Sequence, residues 1–214
     1  MNHHDTPHAS RAEPDPDATG PDLVALVGSR IAHDLNNPIG AIANGVELLG
    51  LTGQAEGPEL ALIDESVENA RRRIKTFRIA FGAAAPGQVV SAEEIAALIG
   101  PSSDGRRVAV DWPLAGDLPR QEAKLAMLAL MCLESTLPWG GQVQVAATEG
   151  QWQITATAER IRDDPTLWGL LDGGQPPGDL TANAVHFAIR AREAARRGRR
   201  ISVSRSDSTM RLAI

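Results

Sequence analysis

Residues 29–49 read SRIAHDLNNPIGAIANGVELL, and the rest of the chain is interpreted from this stretch. Val24, Ile31, Leu35, Ile39, Ile42, Val46 and Leu49 recur at helical spacings, which predicts one amphipathic helix over residues 21–51. With His33 at zero and 100° per residue, Leu35, Ile39, Ile42, Val46 and Leu49 fall between about 160° and 240°. His33 therefore faces away from the apolar stripe, into solvent. Within about 60° of it lie Ser29, Arg30, Asn36, Asn37, Gly40, Asn44 and Glu47, all small or polar, so a bulky partner can approach. Pro38 removes the hydrogen bond to the Asp34 carbonyl and is expected to bend the helix one turn past the histidine. Gly40 and Gly45 weaken the helix further, by up to ~1 kcal/mol each. Such local violations concentrate where function overrides stability.

Downstream, Leu60, Ile63, Val67, Ala70, Ile74, Phe77 and Phe81 alternate steps of three and four, a heptad seam on a second helix. The connection LTGQAEG is short and glycine-containing, so the helices should be antiparallel neighbours. Two helices alone have little core, and both stripes are expected to point inward. Pairing two hairpins into a dimeric four-helix bundle supplies the missing burial. Residues 21–84 form this unit. Residues 1–20, with Pro7, Pro14 and Pro16 and no apolar period, are expected to be a flexible tail. His3, His4 and His8 in that tail have no cysteine beside them, so no metal site is expected.

AAAPGQ breaks the pattern, and residues 85–214 read as an α/β sandwich, helices on one face of a mixed sheet, making the whole chain α+β. Strands are expected at 106–112, 142–147 and 152–157, at 200–204, and in the terminal RLAI. Ser91 and Glu94 have capping-box spacing. PRQEAKLAMLALMCLESTL and TANAVHFAIRAREAARR are the long helices. Composition narrows the function. A net charge of −6 and 3% aromatics argue against a nucleic-acid-binding surface. A single cysteine, Cys132, and no long apolar run lead us to expect a cytoplasmic protein with no membrane span. Phosphate-loop and nucleophile-elbow motifs are absent.

The string His33-Asp34-Leu35-Asn36-Asn37-Pro38 resembles the H-box of histidine-kinase dimerisation domains. The run IGAIANGVELL after it is more similar still to histidine phosphotransferases of the ChpT type. LALMCLESTLPWGGQVQVAATEGQWQITATAERIR resembles the centre of a histidine-kinase ATPase domain, in a degenerate form. Registering on Pro138-Trp139-Gly140-Gly141 sets Leu128 and Cys132 on the N-box asparagines. It sets Ala158, Arg160 and Arg162 on the Asp, Gly and Gly of the DxGxG motif. DGGQPPGD stands where a glycine-rich lid is expected. No group remains to hold Mg²⁺ or nucleotide, so this chain should bind no cofactor and no metal of its own.

What the resemblance implies is a phosphoryl relay through a phosphohistidine on His33. A neutral imidazole is the nucleophile, and Mg²⁺ is expected on the partner receiver domain. Asp34 would hydrogen-bond His33 and set its tautomer, and Asn37 would orient phosphoryl oxygens. Arg30 would help neutralise charge. The implied partners are a second copy of the chain, the receiver of a CckA-like hybrid kinase and a CtrA-like response regulator. The receiver's docking face should be built from Arg30, Asn36, Gly40, Ala41, Asn44 and Leu48. The basic residues Arg71, Arg72, Arg73, Lys75 and Arg78 form either a solvated face or a steering surface for an acidic partner. Two other functions remain open from sequence: an active histidine kinase, and a module that sequesters a receiver without transferring phosphate.

Overall fold

A computed structural model describes residues 20–52, 57–99, 108–148 and 151–214. The expected tail, with His3, His4 and His8, lies outside the described residues. Helix α1, Leu23–Thr52, starts where Asp22 Oδ1 accepts the Val24 and Ala25 amides at 3.0 and 3.1 Å, satisfying donors that have no intrahelical acceptor. It runs unbroken through Pro38, which is buried. Helix α2, Pro58–Ala80, begins with proline in its first turn, where the missing amide costs nothing. The two helices pack along their length. They approach closely at Gly45, where a Cβ would lie 2.5 Å from Ile63 Cγ1.

In the single chain the apolar stripes are only partly covered, each helix burying part of its stripe against the other. Leu35, Ile42 and Leu49 are half-buried against α2, whereas Ile39 and Val46 are each 56% exposed. On α2, Phe77 is buried while Ile74 is 53% exposed and Leu60 also lies open. Each seam splits because a helix about 10 Å across meets one neighbour over only part of an apolar face this wide.

After the hairpin, a two-stranded ladder of β1 (Val89–Val90) and β3 (Leu118–Pro119) frames α3 (Ala92–Ile99). The Glu94 amide donates to Ser91 Oγ at 3.1 Å, the first half of the capping box, while the Glu94 carboxylate accepts from Arg78 instead. The main sheet has five strands: β2 (Val108–Asp111), β4 (Gly141–Thr148), β5 (Gln151–Thr157), β6 (Ser202–Arg205) and β7 (Thr209–Ala213). Their order is β2-β4-β5-β7-β6, parallel between β2 and β4 and antiparallel elsewhere. Val143, Val145, Trp152, Ile154, Ala156, Met210 and Leu212 alternate inward, as a half-buried sheet requires. Helix α4, Arg120–Glu134, is buried from Ala123 to Leu130 without a polar face, which makes it the central layer. Helices α5 (Pro165–Leu171) and α6 (Val185–Arg196) complete the packing, with Trp168 edge-on to Phe187 at 5.1 Å. The sequence reading did not anticipate α5, β1 or β3. Short elements have too little periodicity to register.

Two joints seat the hairpin on the sandwich. Leu23 and Leu26 of α1 pack into the sandwich core. At the other end, α2 finishes with carbonyls that lack intrahelical donors, and α4 supplies them. Arg120 donates to the Arg78 and Ala83 carbonyls, and Lys124 to the Gly82 carbonyl at 3.0 Å. Gly82 is required here, since a Cβ would meet the Arg78 carbonyl at 2.2 Å.

Candidate phosphoacceptor site

His33 lies on the third turn of α1 with its side chain 64% exposed. Its Nδ1 is 3.1 Å from Asp34 Oδ1. A carboxylate at that distance accepts from Nδ1–H in the tautomer that keeps the Nε2 lone pair free for attack. Adjacent helix residues diverge by about 100°. The carboxylate bridges that angle because Asp34 is itself buried, at 7% exposure, and its other oxygen is held from two directions. Arg30 Nε donates to Asp34 Oδ2 at 2.7 Å, and Arg73 Nη1 of α2 lies 3.7 Å from the same atom. Asn69 steadies Arg73, accepting from Nε at 3.0 Å. Two guanidinium groups and one carboxylate leave this corner net positive, which suits an incoming phosphoryl group.

The other sequence-derived positions spread along α1. Asn37 is exposed one turn past His33, and Asn36 and Asn44 are exposed too. A Cβ on Gly40 would meet no heavy atom within 4 Å, Ala41 is half-buried, and Leu48 is 43% exposed. The surface beside the histidine is thus shallow and open. Arg30 is placed differently from the partner-facing position expected of it. It is half-buried, with Nε on Asp34 and Nη1 on the Asn183 carbonyl at 2.7 Å. Sequence reasoning missed Arg73 as a site residue, noting it only within a basic face. It also missed Asn183, whose contribution is a backbone atom, and His186.

His186, in the first turn of α6, is 1% exposed, and neither ring nitrogen has a hydrogen-bond partner. Burial, reinforced by the Arg30 charge, pushes its pKa down to about 3, although Asp34 and the Met131 carbonyl pull the other way. The carbonyl is thus close enough to favour the protonated ring without meeting hydrogen-bond geometry. One turn on, Arg190 is fully buried with all three guanidinium nitrogens unpartnered, and burial lowers its pKa to about 10. Burial raises the Cys132 thiol well above its usual range, so it is inert.

The sandwich positions that align with nucleotide-binding motifs carry other groups. Leu128 and Cys132 are both fully buried in α4. Arg160 stacks over Trp139 at 4.2 Å, and Arg162 donates to the Ser135 carbonyl at 2.8 Å. A cleft of about 350 Å³ remains between the end of α4, α5 and the turn before α6, lined by Thr136, Arg162, Asp164, Trp168, Asn183 and Phe187 among others. Among the described residues no helix is long and apolar enough to cross a membrane.

A helical hairpin presenting an open imidazole, seated on an α/β sandwich, is the architecture of a phosphotransfer protein of two-component signalling. Comparison with known proteins gives the family. Residues 92–209 match the histidine phosphotransferase C-terminal domain. The chain is 33% identical over 179 residues to the protein phosphotransferase ChpT of Brucella abortus, covering 77% of this chain and 81% of that one. It also matches the 1.7 Å structure of a bacterial phosphotransferase, with TM-score 0.71 and 29% identity over 90% of this chain and 95% of the other. The chain belongs to the histidine phosphotransferase family and is of the ChpT type.

Proposed function

We propose that His33 accepts a phosphoryl group from an aspartyl phosphate on the receiver domain of a hybrid histidine kinase and returns it to the aspartate of a response-regulator receiver. One observation carries this reading: an open imidazole whose Nδ1 is committed to Asp34, leaving Nε2 as the nucleophile. In the forward step the Nε2 lone pair forms the N–P bond as the P–O bond to the receiver carboxylate breaks. No proton leaves Nε2, so the product is an imidazolium, and the Asp34 carboxylate stabilises its charge. That positive ring is also a good leaving group for the second transfer. Mg²⁺ on the receiver steadies the transferring oxygens, Asn37 orients them, and the surface from Asn36 and Gly40 to Leu48 receives the docking helix.

The protein acts as a cytoplasmic homodimer in this reading. Val24, Ile39, Val46, Leu51, Leu60, Leu62 and Ile74 of the hairpin are exposed, an apolar surface of the kind that marks an association face. A second hairpin covers it by completing a four-helix bundle. The sandwich serves as a scaffold and binds no ATP, a reading supported by the apolar, buried Leu128 and Cys132. The test is a radiolabel chase with a phosphorylated receiver. Label should reach the wild-type chain and not His33→Gln, and ATP alone should give none. Labelling of His33→Gln, or labelling of the wild type from ATP, would refute the relay.

A further inference from the structure

The chain keeps a full α/β sandwich although that sandwich lacks the nucleotide motifs it resembles, and its seat on the hairpin suggests what it does. Asp34 can hold the His33 Nδ1 proton only if its carboxylate stays in one orientation. An Arg–Asp pair four residues apart on an exposed helix is worth about 0.3–0.5 kcal/mol, too little to fix a side chain. Here the pair is not left to itself. Arg30 Nη1 donates to the Asn183 carbonyl at 2.7 Å, and Nε of the same planar group donates to Asp34 at 2.7 Å. Because a guanidinium is rigid and planar, anchoring one arm aims the other.

The anchor is itself stiff. The Asn183 carbonyl sits in the turn leading into α6, between the hydrogen bonds Ala184 N–H to Thr181 O and Val185 N–H to Ala182 O. The residues just after it, from Ala184 to Ala188, are all buried. Arg120, Gln121 and Lys124 lock the far side of the joint onto the end of α2. We propose that Arg30 is a positioning residue through which the sandwich, by way of the Asn183 carbonyl, orients Asp34 and so holds His33 in the Nδ1-protonated form. This inference rests on the reading of His33 as phosphoacceptor. It assigns the sandwich a role in the chemistry 153 residues along the chain from Arg30.

The test uses the full-length, ¹⁵N-labelled protein. Two-bond ¹H–¹⁵N correlation reads the tautomer of each histidine ring, with His33 assigned by its loss in His33→Gln. The wild type should show His33 protonated at Nδ1. Arg30→Gln and Arg30→Lys should shift it toward a mixture with the Nε2 form, since a lysine is a point donor that cannot hold both acceptors. Both should also slow phosphoryl acceptance at least tenfold. The double variant Arg120→Ala, Lys124→Ala touches nothing in the site, yet should shift the same resonance. Resonances of the folded protein separate this from simple unfolding. An unshifted tautomer in Arg30→Gln overturns the proposal, even if transfer slows. A shift in Arg30→Gln with none in the double variant overturns the role of the sandwich. Either result leaves the relay standing, because the relay falls only if His33→Gln still takes up phosphate or the wild type labels from ATP.

Discussion

His186 should make this protein lose stability in mild acid, and replacing it should remove that loss. In the unfolded chain its imidazole titrates near 6.5, while in the folded chain burial and Arg30 push it down to about 3. Between those values the unfolded state binds a proton that the folded state refuses, so stability falls as pH drops through 6.5 and levels off below about 3. From pH 7 to pH 5 the unfolded-state binding factor grows about 25-fold, which corresponds to about 2 kcal/mol. With a urea slope of about 2 kcal/mol per molar, the unfolding midpoint should move down by about 1 M. Urea titrations at pH 7 and 5, at one protein concentration, measure it. Carboxylates such as Glu193 contribute a pH dependence of their own. Burial pushes Glu193 up, and bonds from Lys124 and Arg197 outweigh that and hold it below its usual range. These contributions are common to wild type and His186→Leu, so they cancel in the difference. If His186→Leu loses as much stability as wild type over this interval, the ring is not held neutral at the joint of α1 and α6.

Two glycines on α1 should respond with opposite sign. Gly40→Leu meets open space and removes a helix-interior glycine, so melting temperature should hold or rise while receiver transfer is blocked; wild-type transfer would refute the docking face. Gly45→Ala drives a Cβ into Ile63 and should lower stability by about 1 kcal/mol or more despite the better helix former, as thermal unfolding reads directly. Ile74→Glu places a charge on the exposed seam and should convert the dimer to monomer in light scattering at tens of micromolar. Arg190→Met replaces a buried, unpartnered cation with an apolar chain of similar length and should stabilise by about 1–4 kcal/mol; destabilisation would mean the guanidinium has a compensating partner.

Much of the hairpin was legible because its information is local. The 3.6-residue period placed His33 opposite the apolar stripe, and the structure leaves that imidazole open. The same period identified α4, whose apolar run was long enough to register. It did not identify α5, whose seven residues are too few, nor β1 and β3, which have two residues each. The period also could not tell which half of each seam one partner helix would cover. Ile39 and Leu35 look alike in sequence, and only the packing of α2 separates them.

By itself, then, the sequence determined where the long helices run and which face carries the histidine. Both follow from side-chain identity and spacing along a single stretch of chain. Only the tertiary structure decided what holds the histidine. Arg73 reaches Asp34 from another helix, and the Asn183 carbonyl reaches Arg30 from 153 residues away. A backbone carbonyl is present at every position and carries no residue signature, so its role appears only when the fold brings it within bonding distance of one particular guanidinium.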